Sequence, residues 1–457
     1  MAKKQVSAPA AAPTNRPPYM LIEEIRVQGY KSLVDATLHV RPLTLLAGTN
    51  SSGKSSIVQP LLLIKQTMEA PYQPAGALVL DGAHVQAETA GELLSKVLSK
   101  STQFSITTSG RHKNKGEQRM LLNLVYEEYD GNFQVKSQQT ASGPDFQFKV
   151  NLEPGLSWND FYNQAINISP INVQMLDKMG GTVVQDSSGF LSVLLNNEEG
   201  KVVGSYADFR SLKGSLSNFI HVPGLRRKAE RSYVATMLSD QIKGTFDLYA
   251  AGTVSQWQQQ QDTEKLAKLN DYLRRLGLTD SVTAKVKNAN EVELSVSRLP
   301  AGGKAKPRKA DMVNIADVGI GVSQVLPILV ALIAAQEGQI VYVEQPELHL
   351  HPRAQVAMAE LLAEAANRGV RVIVETHSSL LLLTVQTLIA KSEIKNTDVA
   401  LHWFARDAKG ATQVTYVEPD EDGAYGEWPE DFGDVELRAQ DAYLTAVGER
   451  HFGKVRK

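Results

Sequence analysis

Gly48-Thr-Asn-Ser-Ser-Gly53-Lys54-Ser55 is the stretch on which the fold turns. It satisfies G-x-x-x-x-G-K-[ST] without a departure and sits between an apolar run at 43–47 (LTLLA) and a helical pattern from 55 to about 68. A buried strand entering a glycine loop that opens a helix is the context this pattern needs. The glycines let the backbone wrap a row of phosphates, and the loop N–H groups donate to them. The helix start adds a favourable dipole. Lys54 should reach the β- and γ-phosphates of ATP, and the Ser55 hydroxyl should bind Mg²⁺. Asn50, Gly53 and Ser56 complete the expected cradle. Pro60 falls in the early turns of the helical pattern, where a proline can kink a helix.

The second half of such a site is expected at 340–347, Ile-Val-Tyr-Val-Glu344-Gln345-Pro-Glu347. A carboxylate at the C-terminal end of a buried strand can hold the water shell of Mg²⁺, the role expected of Glu344. The next position commonly carries the glutamate that activates water. Here it is Gln345, which cannot accept a proton, and Glu347 lies two residues on as a substitute. The run at 370–374 is another buried strand, followed by Glu375-Thr-His377-Ser. A histidine in that place can sense the γ-phosphate and orient water. His349 and His351 have an H-x-H spacing but read as part of a turn, not as a metal site. The glycine-rich segment from Asp317 to Leu326 feeds a helix whose first turn holds Gly321 and Ser323, a place suited to capping a γ-phosphate.

The 457 residues leave room for two or three domains, or for one with a large insertion. No cysteine is present, which excludes disulfides, thiol catalysis and Cys-based zinc sites, and suits a cytoplasmic setting. No stretch reaches the roughly 18 apolar residues of a membrane span. Residues 1–19 read as a disordered tail. Strands of a meander are expected at 104–108, 118–126 and 132–135, helices at 156–180 and 256–276, and two strands at 281–298. Strands then alternate with helices to 390, so the fold class is α/β, with a mostly parallel phosphate-loop sheet, an antiparallel β subdomain and a mixed α/β insertion. The net charge of −2 confines any nucleic-acid contact to local basic patches. Two are visible: Lys304, Lys306, Arg308 and Lys309, and Arg226, Arg227, Lys228 and Arg231. The nine carboxylates from Glu418 to Glu436, with no Lys or Arg among them, read as a solvated acidic loop. Trp428 and Phe432 could anchor a partner or dock back on the sheet.

Taken together these residues resemble the ABC-type ATPases of the structural-maintenance-of-chromosomes and overcoming-lysogenization-defect superfamily. Tyr30-Lys31-Ser32 resembles its F-K-S opening, and Glu344-Gln-Pro-Glu-Leu-His-Leu-His-Pro352 its D-E-P-E-x-H-L-H-P block with two departures. Glu375-Thr-His-Ser378 resembles its switch-histidine segment, and Gly319-Ile-Gly-Val-Ser323 stands where its signature belongs. The Glu-Gln pair, Val222-Pro-Gly-Leu-Arg226 and Tyr425-Gly-Glu-Trp-Pro429 resemble an antiphage-like subgroup with a C-terminal module. The resemblance implies an N-terminal lobe at 20–100, an insertion at 101–305 that returns to the core near 218–224, a C-terminal lobe at 306–400 and a module at 401–457. It also implies two heads packed head to tail, with Lys54, Ser55, Glu344 and His377 on one face and Gly321 and Ser323 supplied by the other copy. ATP would then act as a ligand for the paired state, and Gln345 implies slow hydrolysis. The partners implied are a homodimer or larger homo-oligomer and a separate effector, a nuclease or toxin, with no membrane. A DNA-repair or clamp ATPase acting on DNA ends, and a nucleotide-bound scaffold with negligible turnover, are the alternative readings.

Overall fold

The apolar run before the glycine loop forms the strand Leu43–Gly48, every residue of which is buried. It lies inside a six-stranded sheet ordered Ile220–Val222, Ile340–Glu344, Arg371–Thr376, Leu43–Gly48, Val399–Arg406 and Thr412–Val417. The first five strands are parallel and the last is antiparallel. The computed structural model describes residues 19–71, 76–98, 101–113, 118–143, 145–146, 148–165, 179–186, 189–206, 209–236, 238, 241–298, 311–426, 441–448 and 450. Residues 1–18 of the expected tail, the basic residues 304–309, and Trp428 and Phe432 lie outside them, whereas Tyr19 is described.

Alternation along the parallel strands separates two cores, because successive side chains point to opposite faces. Leu43, Leu45, Val341, Val343, Val372 and Val374 pack on one side with the helices Ile320–Ala334, Pro352–Asn367 and Ser379–Ala390. Leu46, Ile340, Tyr342 and Ile373 pack on the other, against an antiparallel sheet. That sheet runs Leu33–His39, Met20–Tyr30, Gln103–His112, Arg119–Tyr129, Asn132–Ser142 and Phe148–Leu152. The expected meander is there, with longer strands than its apolar runs suggest. A three-stranded sheet (Gly180–Gln185, Leu191–Asn196, Val202–Tyr206) and a smaller one built on Val282–Asn288 and Glu291–Ser297 complete the α/β architecture.

Three local expectations are corrected. The helix expected over 156–180 is Trp158–Ala165, and Gly180 begins a strand; 166–178 lie outside the described residues. The helix expected over 256–276 is two, Ala250–Gln259 and Thr263–Arg275. Gln261 takes φ +55°, and the Asp262 carboxylate accepts from the Lys265 N–H to start the second. Pro60 kinks nothing. A 3₁₀ turn, Ser55–Ile57, precedes the helix Gln59–Glu69, so Pro60 stands in its first turn, where no N–H is needed. No helix among the described residues is long and apolar enough to cross a membrane.

Candidate functional site

The glycine loop lies at the C-terminal edge of the parallel sheet, and two of its glycines are required by close approach. Gly48 has φ +146°, and a Cβ there would lie 2.1 Å from the Phe404 carbonyl oxygen of the next strand. Gly53 has φ +101°, and its Cβ would meet Thr412 Oγ1 at 2.5 Å. The same Thr412 hydroxyl lies 2.8 Å from the Ser52 carbonyl and 2.7 Å from Ser32 Oγ, so the last strand clamps the loop. Lys54 is buried, and its ammonium donates to the carbonyls of Gly48 (3.1 Å) and Thr49 (2.7 Å). Burial lowers its pKa, opposed by the carboxylates of Glu375 and Glu347.

The loop forms the floor of an open cleft of about 410 Å³. Asn50, Gly53, Lys54, Ser55, Ser56, Gln345 and His377 line it, as expected residues brought together. Lys31, Glu375 and Arg406 line it as well. Arg406 donates to the Ser51 carbonyl at 2.9 Å, and Lys31 to Gln59 Oε1 at 2.7 Å. With Lys54 they make a cationic bed suited to a polyphosphate. Lys31 was legible in the Tyr30-Lys31-Ser32 tract, and Glu375 stood in the quoted histidine segment but was passed over for His377. Arg406 had no local signal, since only strand pairing brings it to the loop.

The carboxylates around the loop divide into three environments. Ser55 Oγ donates to Glu375 Oε2 at 2.7 Å, and the Tyr342 hydroxyl donates to the same oxygen at 3.1 Å. Burial raises the Glu375 pKa and the nearby Glu344 adds to that, against the Ser55 bond. Glu344 faces elsewhere: His221 Nε2 lies 3.1 Å from its Oε1, and the Gly224 N–H donates to its Oε2 at 2.9 Å. Burial alone would raise the Glu344 pKa, but His221, Gly224 and Tyr342 outweigh it and hold it below the usual value. Glu347 does not line the cleft; its Oε1 accepts from the His377 N–H at 2.6 Å, and its buried Oε2 has no hydrogen-bond partner. Burial pushes its pKa up. Burial and Lys54 lower the His377 pKa, against the Gly48 carbonyl. No group of three metal-ligating side chains occurs among the described residues. Hard oxygens at Ser55 and its carboxylate neighbours therefore fit Mg²⁺, which keeps waters and takes phosphate oxygens, better than an ion caged by protein alone. His349 lies in the turn with φ +64°, and His351 caps the helix Pro352–Asn367 by accepting from the Arg353 N–H.

Gly321 and Ser323 are not in the cleft. They open the helix Ile320–Ala334, where Ile320 is 51 % exposed and the buried Ser323 hydroxyl donates back to the Ile320 carbonyl. Of the central basic patch, Arg226 turns inward, whereas Arg227 and Arg231 stay largely exposed. Arg226 is buried and donates to the carbonyls of Glu344 (2.6 Å) and Gln345 (3.2 Å), and Arg231 pairs with Asp317 at 2.7 Å. In the acidic stretch, Asp420 accepts from the N–H groups of Asp422 and Ala424 and so shapes a turn.

Two family models match separate spans of the chain. Residues 20–151 match the model described as "AAA ATPase domain", and residues 230–383 the one described as "AAA domain, putative AbiEii toxin, Type IV TA system". The chain thus carries AAA-family ATPase sequence across both halves of the cleft. No curated protein matches it. Among solved structures it is similar to an Smc head bound to the C-terminal winged-helix domain of ScpA (12 % identity, 88 % of this chain and 98 % of that one, TM-score 0.44). It is also similar to a Pyrococcus furiosus Smc head with an extended coiled coil bound to the C-terminal domain of ScpA (12 %, 94 % and 99 %, 0.42). A third is the SMC head domain from Thermotoga maritima (10 %, 87 % and 99 %, 0.39).

Proposed function

We propose that this AAA-family chain binds ATP with Mg²⁺ in the cleft over the 48–55 loop, hydrolyses it slowly, and uses the bound state to pair with a second copy. The observation that carries the reading is the cleft itself: a glycine loop with Lys54 and Ser55 in place, flanked by Lys31 and Arg406 and facing Gln345 and His377. Mg²⁺, when bound, neutralises phosphate charge. The loop N–H groups, Lys54 and Arg406 bind the anionic oxygens, and Ser55 holds the cation. Gln345 orients water through its amide but accepts no proton. Glu347, whose second oxygen is unpartnered behind the His377 backbone, is the group assigned to take it, by turning that carboxylate into the cleft. Glu344 shapes the site from beside His221.

The exposed first turn of Ile320–Ala334 is the surface a second copy would bring to the γ-phosphate. Its N–H groups are available, with Gly321 offering no side chain and Ser323 close behind. Slow turnover suits a switch that gates a separate effector, and the resemblance of the Glu344-Gln345 pair and of Val222–Arg226 to the antiphage-like subgroup is the ground for placing it in antiphage defence. Light-scattering mass with and without ATP tests the reading. The native chain should double in mass with ATP, and Lys54→Ala should stay at the single-chain mass. Nucleotide binding with no change in mass would overturn the pairing; no nucleotide binding would overturn the whole reading.

A further inference from the structure

Two neighbouring strands carry glutamates at or next to their C-terminal ends, Glu344 and Glu375, and the two have different partners. Arg371–Thr376 lies between the loop strand Leu43–Gly48 and Ile340–Glu344. Adjacent strands are about 4.8 Å apart, so Glu375 starts one spacing from the loop strand and Glu344 two. Glu375 stands in register with Leu46, only two residues before the loop's first glycine, and it is 6 % exposed. Its Oε2 is the acceptor of the Ser55 hydroxyl.

Both oxygens of Glu344 are engaged on the far side, by His221 and by the Gly224 N–H. A buried chain holds that arrangement. His221 Nδ1 lies 3.0 Å from His84 Nδ1, and His84 Nε2 lies 3.3 Å from Glu69 Oε2. Glu69 in turn accepts from the Gly244 N–H and pairs with the buried Lys65. The His221 ring stacks on Tyr342, with centroids 5.3 Å apart. Turning Glu344 toward Ser55 would strand the Gly224 N–H and break this chain, leaving buried polar groups unpaired. Glu375 needs no such rearrangement: a cation beside Ser55 meets its carboxylate where it already stands.

We infer that Glu375 is the carboxylate that serves the cation at Ser55, and that Glu344 is the anchor of the 222–226 loop and not a metal donor. This rests on the ATP–magnesium reading above. The test replaces Mg²⁺ by Mn²⁺ and follows its binding by electron paramagnetic resonance in protein loaded with a non-hydrolysable ATP analogue. Affinity for the same analogue in EDTA is measured alongside. Glu375→Gln should weaken Mn²⁺ about tenfold or more, as Ser55→Ala does, and leave the EDTA affinity within about threefold. Glu344→Gln should keep Mn²⁺ affinity within about threefold while lowering the thermal midpoint. If Glu375→Gln does not fold, Glu375→Asp against Glu344→Asp makes the same comparison, with the loss expected only in the first. Loss of Mn²⁺ in the Glu344 variant, alone or equally with Glu375, overturns this assignment and leaves the ATP reading standing. A native chain that takes up no nucleotide overturns both.

Discussion

Single residues around the loop carry consequences that contacts alone predict. Gly48 is the sharpest case, because its backbone is left-handed and the Phe404 carbonyl occupies the place of a Cβ. Gly48→Ala should destabilise the protein by about 2 kcal/mol or more, from backbone strain and the clash together, and abolish ATP binding; urea unfolding and equilibrium dialysis check both. Glu347→Gln should lower phosphate release on the order of 100-fold, the scale of a lost general base, with ATP affinity nearly unchanged. Turnover of many ATP per second that survives this change would end the slow-switch reading. His402 gives a pH signature. It is buried, accepts from the His39 N–H at 3.0 Å, and is pushed by burial to a pKa of about 3. Because the folded pKa is depressed, the contribution is full above the ordinary value of about 6.5 and is lost as pH falls toward 3, about 5 kcal/mol over the whole range. The denaturation midpoint should fall between pH 6.5 and 4, and His402→Gln should flatten that fall; an unaltered profile would clear His402 of the effect.

At the scale of elements, the helix Gln59–Glu69 does more than follow the glycine loop. Lys65, on its buried face, donates to the carbonyls of Leu216 (3.2 Å) and Ile242 (2.7 Å) and pairs with Glu69 at 2.7 Å. The phosphate-loop helix is thereby tied to two segments more than 150 residues away. Lys65→Met should cost about 3 kcal/mol or more, since it leaves the Glu69 charge buried and unpaired. Lys65→Met with Glu69→Gln should cost less than Lys65→Met alone in urea titrations. Element type was legible wherever one period dominated, as at 43–47, 340–343 and 379–390. It failed at 256–276, where the helical pattern runs on through Gln261 although the backbone there turns left-handed. It also failed at Gly180, where pairing with Asn196 makes a strand of a segment with weak local preference.

Over the whole molecule, strand order is what builds the site. Five parallel strands place the ends of Leu43–Gly48, Arg371–Thr376 and Ile340–Glu344 along one edge, so residues some 300 positions apart share a cleft. Pairing of two heads belongs to this scale, and the mass increase expected with ATP, absent in Lys54→Ala, is its direct measure. The half-exposed Ile320 at the start of its helix gives a second handle. Ile320→Asp should reduce the ATP-dependent mass increase while leaving single-chain ATP affinity unchanged, because an acidic side chain there would repel the phosphates facing it; an undiminished increase would take the turn out of the interface.

The phosphate loop, its flanking strand and helix, and the α/β class were determined by the sequence alone. Each depends on local chemistry: glycine where the backbone must close up, lysine and serine at fixed offsets, apolar runs of strand length. Tertiary structure alone decided which carboxylate faces Ser55, that Arg406 joins the cationic lining of the cleft, and that Arg226 is a buried tie. The reason is physical. Glu344 and Glu375 look alike along the chain, and only the strand inserted between loop and Glu344, with His221 and Gly224 waiting on the far side, separates them.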